Sequence, residues 1–382
     1  MMSSAFHFPP FEEDEGLRSL RENVRSFLGA ERRNGGIPPA PAGFDPGFSQ
    51  RLASQGWIGM TWPKRFGGHE RTPIERHVVT EELLSAGAPV RAHWVADRQS
   101  GPLLLRCGNE QQQQRYLPEI AAGRCYFCIG MSEADSGSDL ASIRTKASKV
   151  NGGWRVDGAK LWTSNAHRAH MMILFARTGP AGTSRHEGVS QFLVDLKSPG
   201  IAIRPIVNMA GEHDFNEVVL DAVFVPDDSL LGTEGNGWNQ VTSELVYERS
   251  GPDRWLSTYH LLRAMADLSP QLGAEGLRGV GRLTAHLWTL HHMSLSIAGL
   301  MVKGEHPATE AAVVKDLGTS FEREIPEAAR RLVSESVRAA LPAQHAFPPA
   351  LRAATLLAPA LTIRGGTREI LRGMIAKSLG MR

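Results

Sequence analysis

The hydrophobic period of this chain changes twice along its length, and those two changes restrict the fold more than any other feature. In the first part the apolar residues recur at helix spacing. FEEDEGLRSLRENVRSFLGAE places Leu17, Leu20, Val24, Phe27 and Leu28 on one stripe. A Pro/Gly loop, GGIPPAPAGFDPG, follows it, and then a short helix and a turn-rich segment in QRLASQGWIGMTWPKRFGG. IERHVVTEELLSAG predicts a further amphipathic helix, and SGPLLLRCGNEQQQQRYLPEIAAG predicts two, broken before Asn109 and ended at Gly123. At Cys125 the pattern switches. From there to about Leu231, β-rich runs such as MMILFART, VSQFLVDL and NEVVLDAVFVP alternate with Gly, Asn and Asp turns. After LLGTEGNGW the chain turns helical again, with Trp238 to Arg254, Leu283 to Val302 and Ala308 to Ala340 long enough for a bundle. The expected organisation is therefore α+β, mostly α: a helical domain over 1–124, a small β barrel or sandwich over 125–234, and a helical bundle over 235–382.

A chain of 382 residues suits two or three packed modules better than one simple core. Its 42% hydrophobic and 21% charged content is that of an ordinary globular protein. A net charge of +2 without a Lys/Arg cluster excludes the strong basic bias of a nucleic-acid binder. No apolar run is long enough for a membrane span. The opening MMSSAFHFPPFEEDEG is acidic and Pro-containing, not a basic, apolar leader, which reads as a cytoplasmic protein. Three cysteines make no disulfide framework. Cys125 and Cys128 form a C-x-x-C, but in the apolar run CYFCIGM, which favours buried strand cysteines over a redox pair. A zinc site would need a second ligand pair nearby, and the sequence has none.

Two polar stretches inside the β region carry the most chemistry. MSEADSGSDLASIRTKA, from Met131 to Ala147, offers the hydroxyls of Ser132 and Ser138 and open backbone N–H groups at Gly137 and Ser138. VDGAKLWTSNAH, from Val156 to His167, sets the aromatic face of Trp162 beside the hydroxyls of Thr163 and Ser164. Each alone reads equally as a polar turn or a core Trp. Together, in this order and inside a β domain of this size, they resemble the flavin-binding strands of the acyl-CoA dehydrogenase family. The resemblance covers nearly the whole chain, is strong from Gly56 to Trp255, weaker from Leu256 to Pro348, and returns at the C-terminus. It implies a helical N-terminal domain, a middle β-barrel domain and a C-terminal four-helix bundle. It also implies FAD as cofactor. Ile129, Met131, Ser132, Gly137 and Ser138 would lie along the isoalloxazine and pyrophosphate, and Trp162, Thr163 and Ser164 against the ring. Glycine at 137 would let the backbone approach phosphate oxygens closely.

The family reaction removes an α-proton from an acyl-CoA thioester and passes a β-hydride to flavin N5. The α-proton is weakly acidic, so the site needs a carboxylate base and donors on the carbonyl oxygen. Most members place the base in a Tyr-Glu-Gly-Thr pattern near the C-terminus. Here that stretch is TIRGGTREI, with Gly365 where the glutamate would stand, and glycine cannot take a proton. A minority carry the base on a helix after the β domain, directly before an arginine. SELVYERSGPDRW places Glu248 before Arg249 in that way, so the resemblance makes Glu248 the candidate base. Glu244, one turn earlier on the same face, is the rival, and spacing alone does not separate them. By the same resemblance Arg249 contacts CoA, Val246 and Tyr247 flank the acyl chain or CoA, and Ser138 serves substrate as well as cofactor. The backbone N–H groups of Gly365 and Gly366 remain available to the thioester oxygen. Thr367 and Glu369, with Arg368 between them, resemble positions near the flavin adenine or pyrophosphate.

Two family features are missing. The flavin-contacting arginine of a neighbouring subunit has no clean counterpart, since Arg278 and Arg282 do not align. The Gln-x-x-Gly-Gly-x-Gly motif is absent from RRLVSESVRAALPAQHAFPPALRAATLLAP. Some bacterial members, including steroid side-chain dehydrogenases, are heterotetramers whose unlike subunits complete each other's flavin sites. Three functions therefore stand as expectations: an acyl-CoA dehydrogenase forming a trans-2-enoyl-CoA, with an electron-transfer flavoprotein as oxidant; a non-catalytic or half-site subunit of a heteromeric one; or a flavin monooxygenase on the same fold. The first two imply a homo- or hetero-tetramer. In RAHWVADRQSG, the residues His93, Trp94, Asp97 and Arg98 fall where the family lines the acyl chain. They are polar enough to suggest a ring-containing acyl group, unless they face the helical domain or solvent. His286, His291 and His292 lack the four-residue spacing of helical metal pairs and read as packing residues.

Overall fold

The computed structural model describes residues 6–37, 43–180, 182 and 184–381, and the side chains of 244–248 lie outside that description. The first helix, α1 (Glu15–Arg33), starts where the Asp14 carboxylate accepts the Leu17 N–H, and it buries Leu17, Leu20, Val24 and Leu28. Helices α2 (Pro46–Ser54), α3 (Pro73–Ser85), α4 (Arg91–Val95), α5 (Gly101–Cys107) and α6 (Glu110–Ala121) follow. Reciprocal side-chain caps open two of them, Thr72 with Glu75 on α3 and Asn109 with Gln112 on α6. The strands are β1 (Phe127–Gly130), β2 (Lys146–Val150), β3 (Gly153–Ser164), β4 (Met171–Arg177), β5 (Val189–Asp195), β6 (Ile201–Val207), β7 (His213–Pro226) and β8 (Leu230–Leu231). Seven more helices complete the chain: α7 (Gly237–Arg249), α8 (Tyr259–Asp267), α9 (Gly273–Val302), α10 (Ala308–Leu332), α11 (Glu335–Ala339), α12 (Phe347–Leu361) and α13 (Arg368–Ser378).

Two predicted helices are shorter than the periodicity suggests. The one expected to reach Arg254 stops at Arg249, because Pro252 has no N–H to continue it and leaves Gly251 extended; a separate 3-10 turn covers Pro252–Arg254. The run from Ala308 to Ala340 divides at Val333, which is extended, and Ser334 caps α11 by accepting the Val337 N–H.

The helix–sheet–helix order of the chain is not the order of its packing. One compact unit holds α1, α3, the last residues of α7 and every helix from α8 on. The other holds α2, α4 to α6, all eight strands and most of α7. The first unit is built on α8, α9, α10 and α12, around Trp255, Leu262, Met265, Leu283, Leu290, Phe321, Ile325 and Phe347. In the second unit one face of the sheet buries Trp154, Val156, Met172, Leu174, Phe192 and Val218. A separate cluster of Trp62, Phe66, Leu103, Leu117, Ile120, Phe127 and Ile173 joins strand residues to the helices.

The strands form one sheet in the order β6-β7-β3-β2-β4-β5-β8, with β1 paired to β4. Strand β1 runs parallel to β4 over Met171–Leu174, while β2 meets β4 only where Lys146 pairs with Arg177. The chain between β1 and β2 thus leaves the sheet and returns to it along the same neighbour, and the first polar stretch is that excursion. Cys128 is buried on β1 and Cys125 lies half-buried ahead of it, both as free thiols. Burial raises both, Cys125 to about 12, so neither is a thiolate at neutral pH. Among the described residues no helix is long and apolar enough to cross a membrane.

Candidate functional site

The excursion between β1 and β2 is held from inside by a pair of charges. Glu133 and Ser136 exchange backbone hydrogen bonds, closing a tight turn. The Glu133 carboxylate accepts the N–H groups of Arg144 (2.7 Å) and Thr145 (2.9 Å) and the Lys160 ammonium (2.8 Å). Lys160 lies on β3, is 0% exposed, and also donates to the Met131 carbonyl at 3.0 Å. Burial pulls the Lys160 ammonium down to about 8, which still leaves it protonated at pH 7. Burial opposes ionisation of Glu133 too, but Lys160 and the two backbone donors keep it below the usual carboxylate range. Neither residue was singled out from the sequence. A lysine in register with the inward-facing Trp154 and Val156 was the available signal, since such a position demands a carboxylate partner.

Beside this loop, β3 carries a bulge. Lys160 pairs with Val218 and Thr163 with Asn216, so three steps on β3 match two on β7. The extra residue inverts the alternation. Trp162, at φ 62°, turns outward and is 56% exposed, whereas Thr163 turns inward and is 1% exposed. A positive φ is rare for a residue with a bulky side chain, and it persists here because neighbours fix both ends. Leu161 N–H donates to the Ser132 carbonyl at 2.8 Å, and Asn165 N–H to the Asp214 carbonyl at 2.8 Å. The structure thus brings the two polar stretches together.

These residues fit a flavin. The Thr163 hydroxyl is buried without a hydrogen-bond partner among the described residues. A buried polar group left unmade costs about 1–3 kcal/mol, which a polar ring edge would recover. The exposed Trp162 ring supplies an apolar face. Gly137 and Ser138 are exposed, and a Cβ on Gly137 would meet no atom within 4 Å, so room stands above that backbone. Ile129, Met131, Ser132 and Ser164 are half-buried in the same unit.

The helical unit holds the C-terminal residues that the sequence singles out. Gly365 and Gly366 both adopt positive φ, 66° and 97°, which only glycine takes without strain. The loop they form is clamped by one face of α10. Buried Lys315 donates to the Gly366 carbonyl. Arg364 donates to the Asp253 carbonyl (2.7 Å), to Ser257 Oγ (2.7 Å) and to Glu322 (3.2 Å). Arg368 and Arg372 share Asp316, at 2.8 and 3.0 Å. Lys315 and Glu322, seven residues apart, share one stripe of α10, and Asp316 lies about 100° round the same helix from Lys315. Burial pushes the Glu322 carboxyl up, while Arg364 and the Ser257 N–H draw it back. Thr367 caps α13 by accepting the Ile370 N–H at 3.5 Å. Glu369 is exposed, and hydrogen bonds from its own N–H and Thr367 hold its carboxyl below the usual range.

Arg249, the last residue of α7, is 3% exposed and donates to Met374 Sδ at 3.3 Å. A Cβ placed on Gly366 would stand 3.6 Å from its Nη2. The end of α7 therefore abuts the glycine loop. Glu248, Val246, Tyr247 and the rival Glu244 sit on α7, and their side chains lie outside the described residues.

The residues suggested as an acyl lining are occupied otherwise. His93 is buried against Ser49 Oγ at 2.8 Å, and burial lowers it to about 3. Asp97 accepts the Gly59 N–H at 2.7 Å, and Arg98 stacks on Trp94 at 4.4 Å. Trp94, Asp97 and Arg98 are half-buried. Among the bundle histidines, His291 meets Glu81 at 2.5 Å and His286 packs on Phe321.

Comparison with known proteins agrees with this geometry. A family model for the acyl-CoA dehydrogenase N-terminal domain matches residues 14–124, and one for the middle domain matches residues 128–223. Acyl-CoA dehydrogenase FadE34 of Mycobacterium tuberculosis is 33% identical over 332 residues, which are 86% of this chain and 45% of that protein. The chain thus spans a little under half the length of that relative. Acyl-CoA dehydrogenase FadE29 of the same organism is 33% identical over 341 residues, 86% of each chain. Among solved structures, the Tcur3481-Tcur3483 steroid ACAD aligns with a TM-score of 0.86 at 26% identity, covering 97% of this chain and 99% of that one. The ChsE4-ChsE5 complex from Mycobacterium tuberculosis aligns at 0.84 and 25% identity, covering 98% and 99%.

Proposed function

This chain belongs to the acyl-CoA dehydrogenase family, and on that premise we propose that it converts an acyl-CoA thioester to its trans-2-enoyl-CoA, with Glu248 as the base. Ile129, Met131, Ser132, Gly137, Ser138, Trp162, Thr163 and Ser164 would hold FAD, with Thr367 and Glu369 at its far end. When bound, FAD supplies the acceptor for the β-hydride. Glu248 takes the α-proton. The N–H groups of Gly365 and Gly366 serve the thioester oxygen, where negative charge builds as that proton leaves. Arg249 holds CoA, with Ser138, Val246 and Tyr247 lining the substrate. An electron-transfer flavoprotein would reoxidise the enzyme.

The observation that carries the choice of base is the buried contact of Arg249 with the Gly366 loop. Family members with a downstream glutamate keep it in that loop, where this chain has Gly365. Glu248 precedes the arginine that packs against the same loop, so the carboxylate is supplied by the helix end. Glu248→Gln is expected to abolish turnover, by at least ~100-fold, while flavin stays bound. Glu244→Gln is the control and is expected to keep most activity. Full turnover in the Glu248 variant would refute the assignment.

A second reading has specific support: this chain as one half of a two-component enzyme. Two similar structures carry paired names, Tcur3481-Tcur3483 and ChsE4-ChsE5, and the chain lacks the family's glycine motif. Size-exclusion of the chain alone and with a candidate partner separates the two. A stable, active homotetramer would sink the second reading.

A further inference from the structure

The bulge that presents Trp162 and Thr163 rests on a group of three side chains that the proposed function does not use. Asn216, at the start of β7, is fully buried. Its Nδ2 donates to the Thr163 carbonyl at 2.9 Å. Its Oδ1 lies 2.7 Å from His213 Nε2 and 3.1 Å from His167 Nδ1. The two imidazoles stack on each other, 3.8 Å between centroids and 16° from parallel.

The chemistry of this group is fixed by one atom. The Thr163 carbonyl can only accept, so the end of the Asn216 amide facing it is the NH2. The other end is then the carbonyl oxygen, and both ring nitrogens beside it must carry protons. His167 is thereby held as the Nδ1–H tautomer and His213 as the Nε2–H tautomer. The three hydrogen bonds fix one orientation of the network, which leaves His167 Nε2 buried with no hydrogen-bond partner among the described residues. It also sits where strain is concentrated. Trp162 and Asn165, the two residues bracketing Thr163 and Ser164, both have positive φ, at 62° and 54°. Asp214, next to His213, accepts the Asn165 N–H through its carbonyl, and its carboxylate pairs with Arg91.

We propose that Asn216, oriented by His213 and His167, is a positioning residue that holds the Trp162–Ser164 bulge in its cofactor-facing form. The inference rests on the flavin reading only for what the bulge faces, not for how it is held. Three substitutions test it. Asn216→Ala removes the whole contact. His213→Leu removes one donor at a half-buried position, whereas His213→Gln restores an N–H donor to Asn216 Oδ1. Amide hydrogen exchange is measured first on the purified chains without flavin. Residues 162–165 are expected to exchange roughly tenfold faster or more in Asn216→Ala and His213→Leu, the effect of a hydrogen bond of ordinary strength. His213→Gln is expected to match the unsubstituted chain, a rescue that a purely space-filling role would not produce. If Asn216→Ala fails to fold, the leucine and glutamine variants decide alone. FAD titration, followed by quenching of flavin fluorescence, is expected to rank affinity in the same order. Unchanged exchange at 162–165 in both disrupting variants overturns the proposal. Faster exchange in those variants, with no FAD binding even by the unsubstituted chain, supports the positioning role and removes the flavin reading instead.

Discussion

The bulge on β3 and the glycine loop after Arg364 do comparable work by opposite means. Each presents backbone in a left-handed conformation that the chain would not choose locally. The bulge is fixed by neutral groups: an amide, two imidazoles and main-chain carbonyls. The glycine loop is fixed by ions, with Lys315, Asp316 and Glu322 of α10 gripping Gly366, Arg364, Arg368 and Arg372. A neutral network loses about one hydrogen bond when a member is cut. An ionic one also leaves a charge unpaired, at a cost that grows as water is kept from it. The two regions therefore differ in how they fail.

The largest expected effect follows from that difference. Glu322→Leu takes the carboxylate partner from the Arg364 guanidinium, whose side chain is 37% exposed, and the acceptor from the Ser257 N–H, and should cost about 2–3 kcal/mol of stability in denaturant titration. A cost below that of Asn216→Ala would break the contrast between the two regions. Acid gives the next test, since each unit carries its own sensitive group. In the strand-bearing unit His93 is held neutral down to about 3, against its ordinary 6.5, by burial. Its folded value is depressed, so the unfolded chain takes up the proton first. The stability His93 contributes is whole above pH 6.5 and is lost as pH falls toward 3, at about 1.4 kcal/mol per pH unit.

In the helical unit Glu81 behaves differently. Burial opposes its ionisation, but His291, His77 and Arg21 bring it down to about 2. What it contributes is whole above about 4.5 and is lost only as pH falls from there toward 2. Hydrogen exchange read against pH should thus show the strand-bearing unit loosening first. His93→Gln, which keeps a partner for Ser49, should remove the slope between 6.5 and 3; a slope that survives would place the acid sensitivity elsewhere. The smallest effect belongs to Thr163→Val. Its hydroxyl has no partner among the described residues. The variant should be as stable as the parent or slightly more so, yet bind FAD roughly tenfold more weakly. Lost stability with unchanged FAD affinity would mean that the hydroxyl serves the fold.

How much of this is visible in the sequence differs between the same two regions. The polar stretches around Ser132 and Trp162 are each contiguous, so the family resemblance makes their pairing an expectation, although Asn216, His213 and Asp214, which hold the Trp162 bulge, lie outside both. Even there the reason for the pairing is hidden, because Glu133 and Lys160 look like ordinary surface charges until strand register places Lys160 inside. The glycine loop is the opposite case. Gly365 and Gly366 are evident in TIRGGTREI, but the groups that fix them come from α10, with Lys315 lying 51 positions before Gly366. No local pattern links the two. The helix–sheet–helix order is legible from periodicity alone. The division of the first helices between two units is not, because α1 and α2 both read as amphipathic helices and what each packs against is not written in either. The partners of His93 and Asp97 are hidden for the same reason, since a polar residue does not announce that it meets Ser49 or the Gly59 N–H.

Whether this chain carries a flavin between the loops that begin at Met131 and Trp162, as proposed, is decided by the visible absorbance spectrum of the full chain purified alone. The flavin reading predicts one flavin per chain, by absorbance against protein concentration, or full reconstitution on adding FAD. A colourless protein that FAD cannot reconstitute would contradict it and would leave the chain as one part of a site completed by another subunit.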